Sequence, residues 1–205
     1  MERSSKVIGG SVRAADEILR TYLFLTLLSG LLVLIHISTS VLLRRYGLHV
    51  PGISGLTWIP LLVIGKVKWR AKISGIYMAS VSSAAVLLIT PILGFKVMGG
   101  IWILPFLRYG IPGVLLDLFW PFVEKFSNKP SVYMITATTI AALSHTGKAF
   151  FVLITRYFPG QHIHYGLIVL VLSHFAFGII GGVIGVMIGY FRLNSKKHNI
   201  QPRRK

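Results

Sequence analysis

Six side chains that ionise or carry an imidazole stand inside otherwise apolar stretches of this sequence: His36, Arg108, Asp117, His145, Lys148 and His174. Such groups cost about 2.5 to 3.5 kcal/mol each to place at the centre of a bilayer-spanning helix, so each needs a reason to be there. His145 and Lys148 are three residues apart and share a helical face, with Ser144 beside them. A set dominated by cations and imidazoles suits a small polar ligand bearing a carboxylate, a phosphate or a heteroaromatic ring. Trp58 is a candidate stacking surface for that ring. The expected substrate-binding set is therefore Arg108, His145, Lys148, His174, His36 and Trp58. Blander roles compete residue by residue. Lys148 is close enough to a span end to snorkel, and each histidine suits a helix-to-helix hydrogen bond. Asp117 is expected to be mainly structural. It would pair with Arg108 only if a kink at Pro112 rotated it, because nine residues of straight helix put the two on opposite faces.

Other chemistries find less support. Cysteine is absent, which removes thiolate nucleophiles, disulfides and Cys-ligated metal sites. There is no HExxH, no Gly-x-Ser-x-Gly and no paired carboxylates for hydrolysis, so no enzyme is expected. Ser144-His145-Thr146-Gly147-Lys148-Ala149 lacks the leading glycine and the following Ser or Thr of a phosphate-binding loop. His36, His145 and His174 would suit haem or a metal, but Arg108 and Lys148 would repel a cation there. No cofactor or metal is expected.

The elements that must position these residues are long and apolar. The 205 residues are 54% hydrophobic and 13% charged, with a formal net charge of +17. The mean hydropathy is +0.71. A soluble domain carries about 25% charged residues. That excludes a soluble globule and a nucleic-acid-binding domain, and the basic excess reads against a lipid surface. Six spans are expected, at 22–43, 53–65, 71–93, 97–122, 132–155 and 165–191, the second short enough to be tilted or re-entrant. The fold class is all-α: a polytopic membrane protein, a single six-helix transmembrane domain over 1–205 with both termini cytoplasmic.

Basic residues support that count. Arg3, Lys6, Arg13, Arg20, Lys66, Lys68, Arg70, Lys72, Lys125, Lys129, Arg192, Lys196, Lys197, Arg203, Arg204 and Lys205 fall on one face, against Arg44, Arg45, Lys96 and Arg156 on the other. The positive-inside rule makes the richer face cytoplasmic. Tyr22, Trp69, Trp120, Tyr133 and Tyr190 then mark inner boundaries, and Tyr46, Trp102, Tyr157 and Tyr165 outer ones. Most of the intramembrane set lies at or outside mid-depth, with Arg156, His162 and His164 in the outer loop beyond it. Residues 1–20 form a cytoplasmic arm, either an amphipathic helix carrying Ile8, Val12, Ala15 and Leu19 on one face or an extension of the first span. A basic, solvated tail runs over 194–205.

Small residues at four-residue spacing signal close helix contacts: Gly181, Gly185 and Gly189, with Gly178 and Gly182 beside them, and Gly75, Ala79 and Ser83. These serve either packing within the chain or docking onto another subunit. Pro105, Pro112, Gly110 and Gly113 interrupt the fourth span, which makes 108–113 a candidate cavity wall.

The whole organisation resembles the substrate-binding S components of energy-coupling factor transporters. The last span, from His164-Tyr165-Gly166 through Gly181-Gly182-Val183-Ile184-Gly185, is similar to the glycine-rich final helix of that family, and 110–115 is similar to its fourth. The family's Ala-x-x-x-Ala contact on its first helix reads Ala15 and Leu19 here. The resemblance implies capture of a vitamin or vitamin precursor from outside a prokaryotic cytoplasmic membrane. It also implies a transmembrane coupling subunit and cytoplasmic ATPase subunits as partners, beside the small-molecule substrate and the lipid bilayer. Family members are thought to topple in the membrane when those ATPases fire. Two alternatives are a stand-alone carrier and a non-transport membrane protein, such as an assembly factor, a scaffold or a haem-binding subunit.

Overall fold

A computed structural model describes residues 2–48, 50–69, 71–94, 103–157 and 166–198. They form six helices: α1 (Glu2–Arg45), α2 (Ser54–Trp69), α3 (Ser74–Ile92), α4 (Ile103–Glu124), α5 (Pro130–Tyr157) and α6 (Leu167–His198). Arg70, Lys96, Trp102, His162, His164, Tyr165 and residues 199–205, which enter the expectations above, lie outside the described residues, as do the side chains of Arg3, Lys6, Ile8, Val12, Arg13, Arg44, Pro105, Arg156, Tyr157, Arg192, Lys196 and Lys197.

The protein is all-helical, with four helices long and apolar enough to cross a membrane: Ala15–Leu43, Ser74–Ile92, Phe106–Glu124 and Leu167–Tyr190. Leu19, Leu23, Leu27, Leu31 and Leu34 stand exposed along α1, and Leu118, Ile135, Ile168 and Leu172 do so on other helices. An apolar surface of this extent suits lipid and not water. The other two helices depart from the apolar pattern for different reasons. At 16 residues, or about 24 Å, α2 is short. The 28-residue α5 is long enough but interrupts its apolar run with Ser144, His145, Thr146 and Lys148.

Three boundaries differ from the expected ones. A single helix runs from Glu2 to Arg45, so the arm continues the first span and forms no separate amphipathic helix. α6 carries its regular structure to His198, which places 194–198 in helix, while 199–205 lie outside the described residues. α2 reaches Trp69, four residues past Gly65, and carries Lys66 and Lys68 on its last turn.

The short helix is the hub. α2 packs against every other helix, while α3, α4, α5 and α6 contact in sequence around it and α1 leans on α2 and α3. Trp58, Ile59, Leu62, Val63 and Val67 of α2 are almost wholly buried, alongside Leu25, Leu32, Met78, Leu116 and Val186 from its neighbours. Small residues permit this approach. A Cβ on Gly181 would strike the Gly55 carbonyl, one on Gly185 would meet Pro60 and Val63, and one on Gly189 would meet Val67. Gly178 and Gly182 lie equally close to Ala142, Ala141 and Thr138 of α5. Both glycine stripes of α6 are thus occupied inside the chain, and the expectation that they dock another subunit has no free surface to use. Gly75 and Gly113 make the matching close contact between α3 and α4.

Candidate functional site

Two buried polar groups occupy opposite ends of α2. Near its N-terminus, the chain turns through Pro51-Gly52, and Gly52 adopts φ +77°, a conformation that L side chains rarely take. A Cβ at Gly52 would also collide with the backbone of Ser173 and His174, so this turn lies directly on α6. Gly55, one turn on, leaves room for the His145 ring. His145 Nε2 donates to the Gly52 carbonyl at 3.0 Å. The ring stacks on His174, with centroids 5.0 Å apart, and His174 Nδ1 donates to the Leu170 carbonyl at 2.8 Å.

Beside this pair, Lys148 is 2% exposed and donates from Nζ to Ser54 Oγ at 2.8 Å. The ammonium sits 4.7 Å from the centre of the Tyr109 ring and 5.8 Å from that of Trp58. Those two rings stack on each other at 4.8 Å with 15° between planes. A cation against aromatic faces in a desolvated setting is a favourable arrangement. It also means that Lys148 does not snorkel: its charge is held inside the bundle.

His36 closes the cluster from α1. Its ring meets Trp58 and Tyr109 edge-on at 5.6 and 5.3 Å. Thr57 Oγ1 donates to the Ser54 carbonyl at 3.1 Å, which spends its proton. The Thr57 oxygen therefore accepts from His36 Nδ1 at 3.4 Å, and the Tyr109 hydroxyl donates to His36 Nε2 at 3.3 Å. Arg108, half-buried on α4 next to Tyr109, acts electrostatically on His36, His145, Lys148 and His174.

All six expected residues thus fall in one neighbourhood drawn from five helices. Among the described residues no carboxylate lies within ion-pair distance of Lys148, because the two ion pairs present are Arg20–Asp16 and Lys66–Asp117. Two buried polar atoms of the cluster, Trp58 Nε1 and His145 Nδ1, have no hydrogen-bond partner. Unmet buried polar atoms of this kind call for a specific explanation. The three histidines do not form a metal-sized set, and among the described residues no three His, Asp or Glu side chains do so elsewhere.

Sequence reasoning missed Gly52, Ser54, Thr57 and Tyr109. The Pro51-Gly52 dipeptide was a usable turn signal. A tyrosine or threonine inside a span is too ordinary to stand out.

The other polar group is closed. Lys66 Nζ lies 2.5 Å from Asp117 Oδ1 and donates also to the Ala71 and Lys72 carbonyls at 2.9 and 2.7 Å. Asp117 accepts the Gly75 N–H on Oδ1 at 3.0 Å and the Ile76 N–H on Oδ2 at 2.6 Å. Those are amides of the first turn of α3, whose own cap position, Ile73, offers no side-chain acceptor. A carboxylate from α4 therefore caps α3, where the helix dipole favours negative charge. Asp117 is structural, as expected. Its partner is Lys66, not Arg108. Lys66, assigned from sequence to a cytoplasmic loop, is in fact buried in this pair.

Compared with known protein families, with characterised proteins and with solved structures, the chain has no match.

Proposed function

We propose that this chain is the membrane-embedded substrate-capture subunit of an ATP-driven uptake transporter for a micronutrient, a vitamin or a precursor of one. In this reading α2 and α5 complete a six-span bundle in a prokaryotic cytoplasmic membrane, both termini are cytoplasmic, and the cluster around Lys148 lies in the outer half. A transmembrane coupling subunit and cytoplasmic ATPases supply the energy. The observation that carries the reading is a buried lysine with no counter-carboxylate, set against stacked aromatic rings beside an unpaired indole N–H. Uncompensated buried charge is costly, and an anionic ligand would supply what the protein withholds. The Trp58–Tyr109 pair offers flat apolar surface to a heteroaromatic body, and Arg108 adds a second cation. The resemblance to S components in length, helix order and glycine-rich last helix supports the same reading.

The test is a ligand screen on detergent-purified protein read by thermal stabilisation. Carboxylate- or phosphate-bearing heteroaromatic compounds are the expected hits, and Arg108→Ala and His145→Ala should each weaken the hit by about tenfold or more. Unchanged affinity in both variants would remove these residues from the site. Saturable uptake by the chain alone in liposomes, with no ATPase present, would instead make it a stand-alone carrier.

A further inference from the structure

The ring of helices around α2 is incomplete. α3, α4, α5 and α6 follow one another round it and α1 rests on α2 and α3, but among the described residues no Cα of α1 lies within 8 Å of one in α6. The strip of α2 between them is only partly covered: Ile64 and Lys68 stand there one helical turn apart, both half-buried. We propose that this groove holds one anionic phospholipid, with an acyl chain along its apolar walls and the phosphate at Lys68.

The walls follow from helix geometry. On α1, Tyr22, Thr26 and Ser29 face α3, through the Tyr22–Tyr77 ring contact, the Thr26–Tyr77 hydroxyl contact and a hydrogen bond from Ser29 to the Met78 carbonyl. Leu25 and Leu32 point into the core at α2. Phe24, Leu31 and Ile35 share the remaining side, and the two aliphatic ones are exposed. On α6, Gly185 and Gly189 sit on α2 and Gly182 sits on α5. Val186 is wholly buried, whereas Ile184, on the other side of Gly185, and Ile188, one turn on, are exposed. Ile184 and Ile188 thus turn away from α5 and toward α1.

The charged end is held in place. Trp69 stacks on Phe24 at 4.0 Å, which joins α2 to α1. Lys68 Nζ rests 4.4 and 4.3 Å from the centres of those two rings, so the aromatic pair fixes where this ammonium stands. Lys66 is drawn inward to Asp117 and binds the Ala71 and Lys72 carbonyls. That folds the turn after α2 back on the helix end and leaves the exposed Lys72 beside Lys68. Phe24 lies just inside Tyr22, where the charge-free part of α1 begins. Lys68 therefore stands at the depth where acyl chains meet head groups, with Ile64 about 6 Å deeper.

An apolar channel with a cation at its head-group end matches a net-negative phospholipid in both chemistry and order. A second copy of this chain would instead bring its own basic surface to Lys68, since each carries a formal charge of +17.

Native mass spectrometry of the full-length protein, released from nanodiscs of phosphatidylglycerol and phosphatidylethanolamine in equal parts, tests the site. A monomer retaining one phosphatidylglycerol in preference to phosphatidylethanolamine is expected. Lys68→Gln should lower that retention about fivefold or more. Leu31→Trp, which fills the groove, should abolish it, and both variants should keep the wild-type melting temperature in detergent. Lys129→Gln, on the turn before α5 and outside the groove, should leave retention unmoved. No retained lipid in the wild-type protein, equal retention of the two lipids, unchanged retention in Lys68→Gln, or an equal loss in Lys129→Gln would overturn the proposal. So would a dimer that Leu31→Trp splits, because the groove would then belong to a second copy. None of these variants touches the Lys148 cluster, so the capture reading stands or falls separately.

Discussion

Lys66 and Lys148 are both buried lysines, placed near opposite ends of α2, yet their surroundings differ in kind. Every donor of Lys66 is spent on a carboxylate or a backbone carbonyl, and its carboxylate also holds down the first turn of α3. Lys148 has one hydroxyl and two ring faces. A charge with a full set of partners ties elements together. A charge left without its counter-ion, next to unpaired Trp58 Nε1 and His145 Nδ1, keeps unused capacity to bind. The contrast is between a charge that ties helices together and one that the proposed capture site would use.

The largest effect should come from breaking the closed pair. Asp117→Ala strands Lys66 in the interior and uncaps α3, and it should cost about 3 to 5 kcal/mol, read as a fall in melting temperature or loss of monodisperse protein. Replacing both partners, with Lys66→Met and Asp117→Leu, should recover most of that loss, because buried ion pairs exchange for apolar side chains at little net cost.

Next comes the seam that supports both regions. Gly181→Val drives a side chain into the Gly55 carbonyl and Ile59 and should cost about 1 to 3 kcal/mol or more. Gly30→Ala, where nothing stands within 4 Å, should be neutral or stabilising by up to about 1 kcal/mol, since alanine is the better helix former. Equal losses in the two variants would show that the seam is not where the bundle is tightest.

Lys148→Met sharpens the comparison from the other side. It should leave the melting temperature unchanged or raised, while lowering affinity for an anionic ligand by about tenfold or more. A collapse like that of Asp117→Ala would mean that the two lysines do the same job.

Much of this was legible in the sequence, and the reasons are physical. Six helices could be read because apolar length is a strong signal. Four of them also reach the length and apolarity of a membrane crossing in the structure, while α2 is short and α5 too polar to show the same signature. His36, Arg108, His145, Lys148 and His174 stood out because a bilayer penalises them. The central place of α2 was not legible, since hydropathy reports what an isolated segment prefers and not which neighbours enclose it. Lys66 was hidden for a related reason: a lysine at a span end looks like any loop cation until its partner arrives from about fifty residues further along the chain, here Asp117 on α4. The glycines of α6 announced close contact without naming the surface, which Gly55, Pro60 and Val67 now supply.

The unequal lengths of α1 and α2 bear on the membrane itself. The charge-free part of α1 runs from Tyr22 to Leu43, about 33 Å at 1.5 Å per residue, close to a hydrocarbon layer of about 30 Å. α2, beside it, spans about 24 Å and is largely enclosed by protein. A change in bilayer thickness therefore acts on the lipid-facing helices, α1 with its exposed leucines among them, and is answered by their inclination while the enclosed hub is left alone.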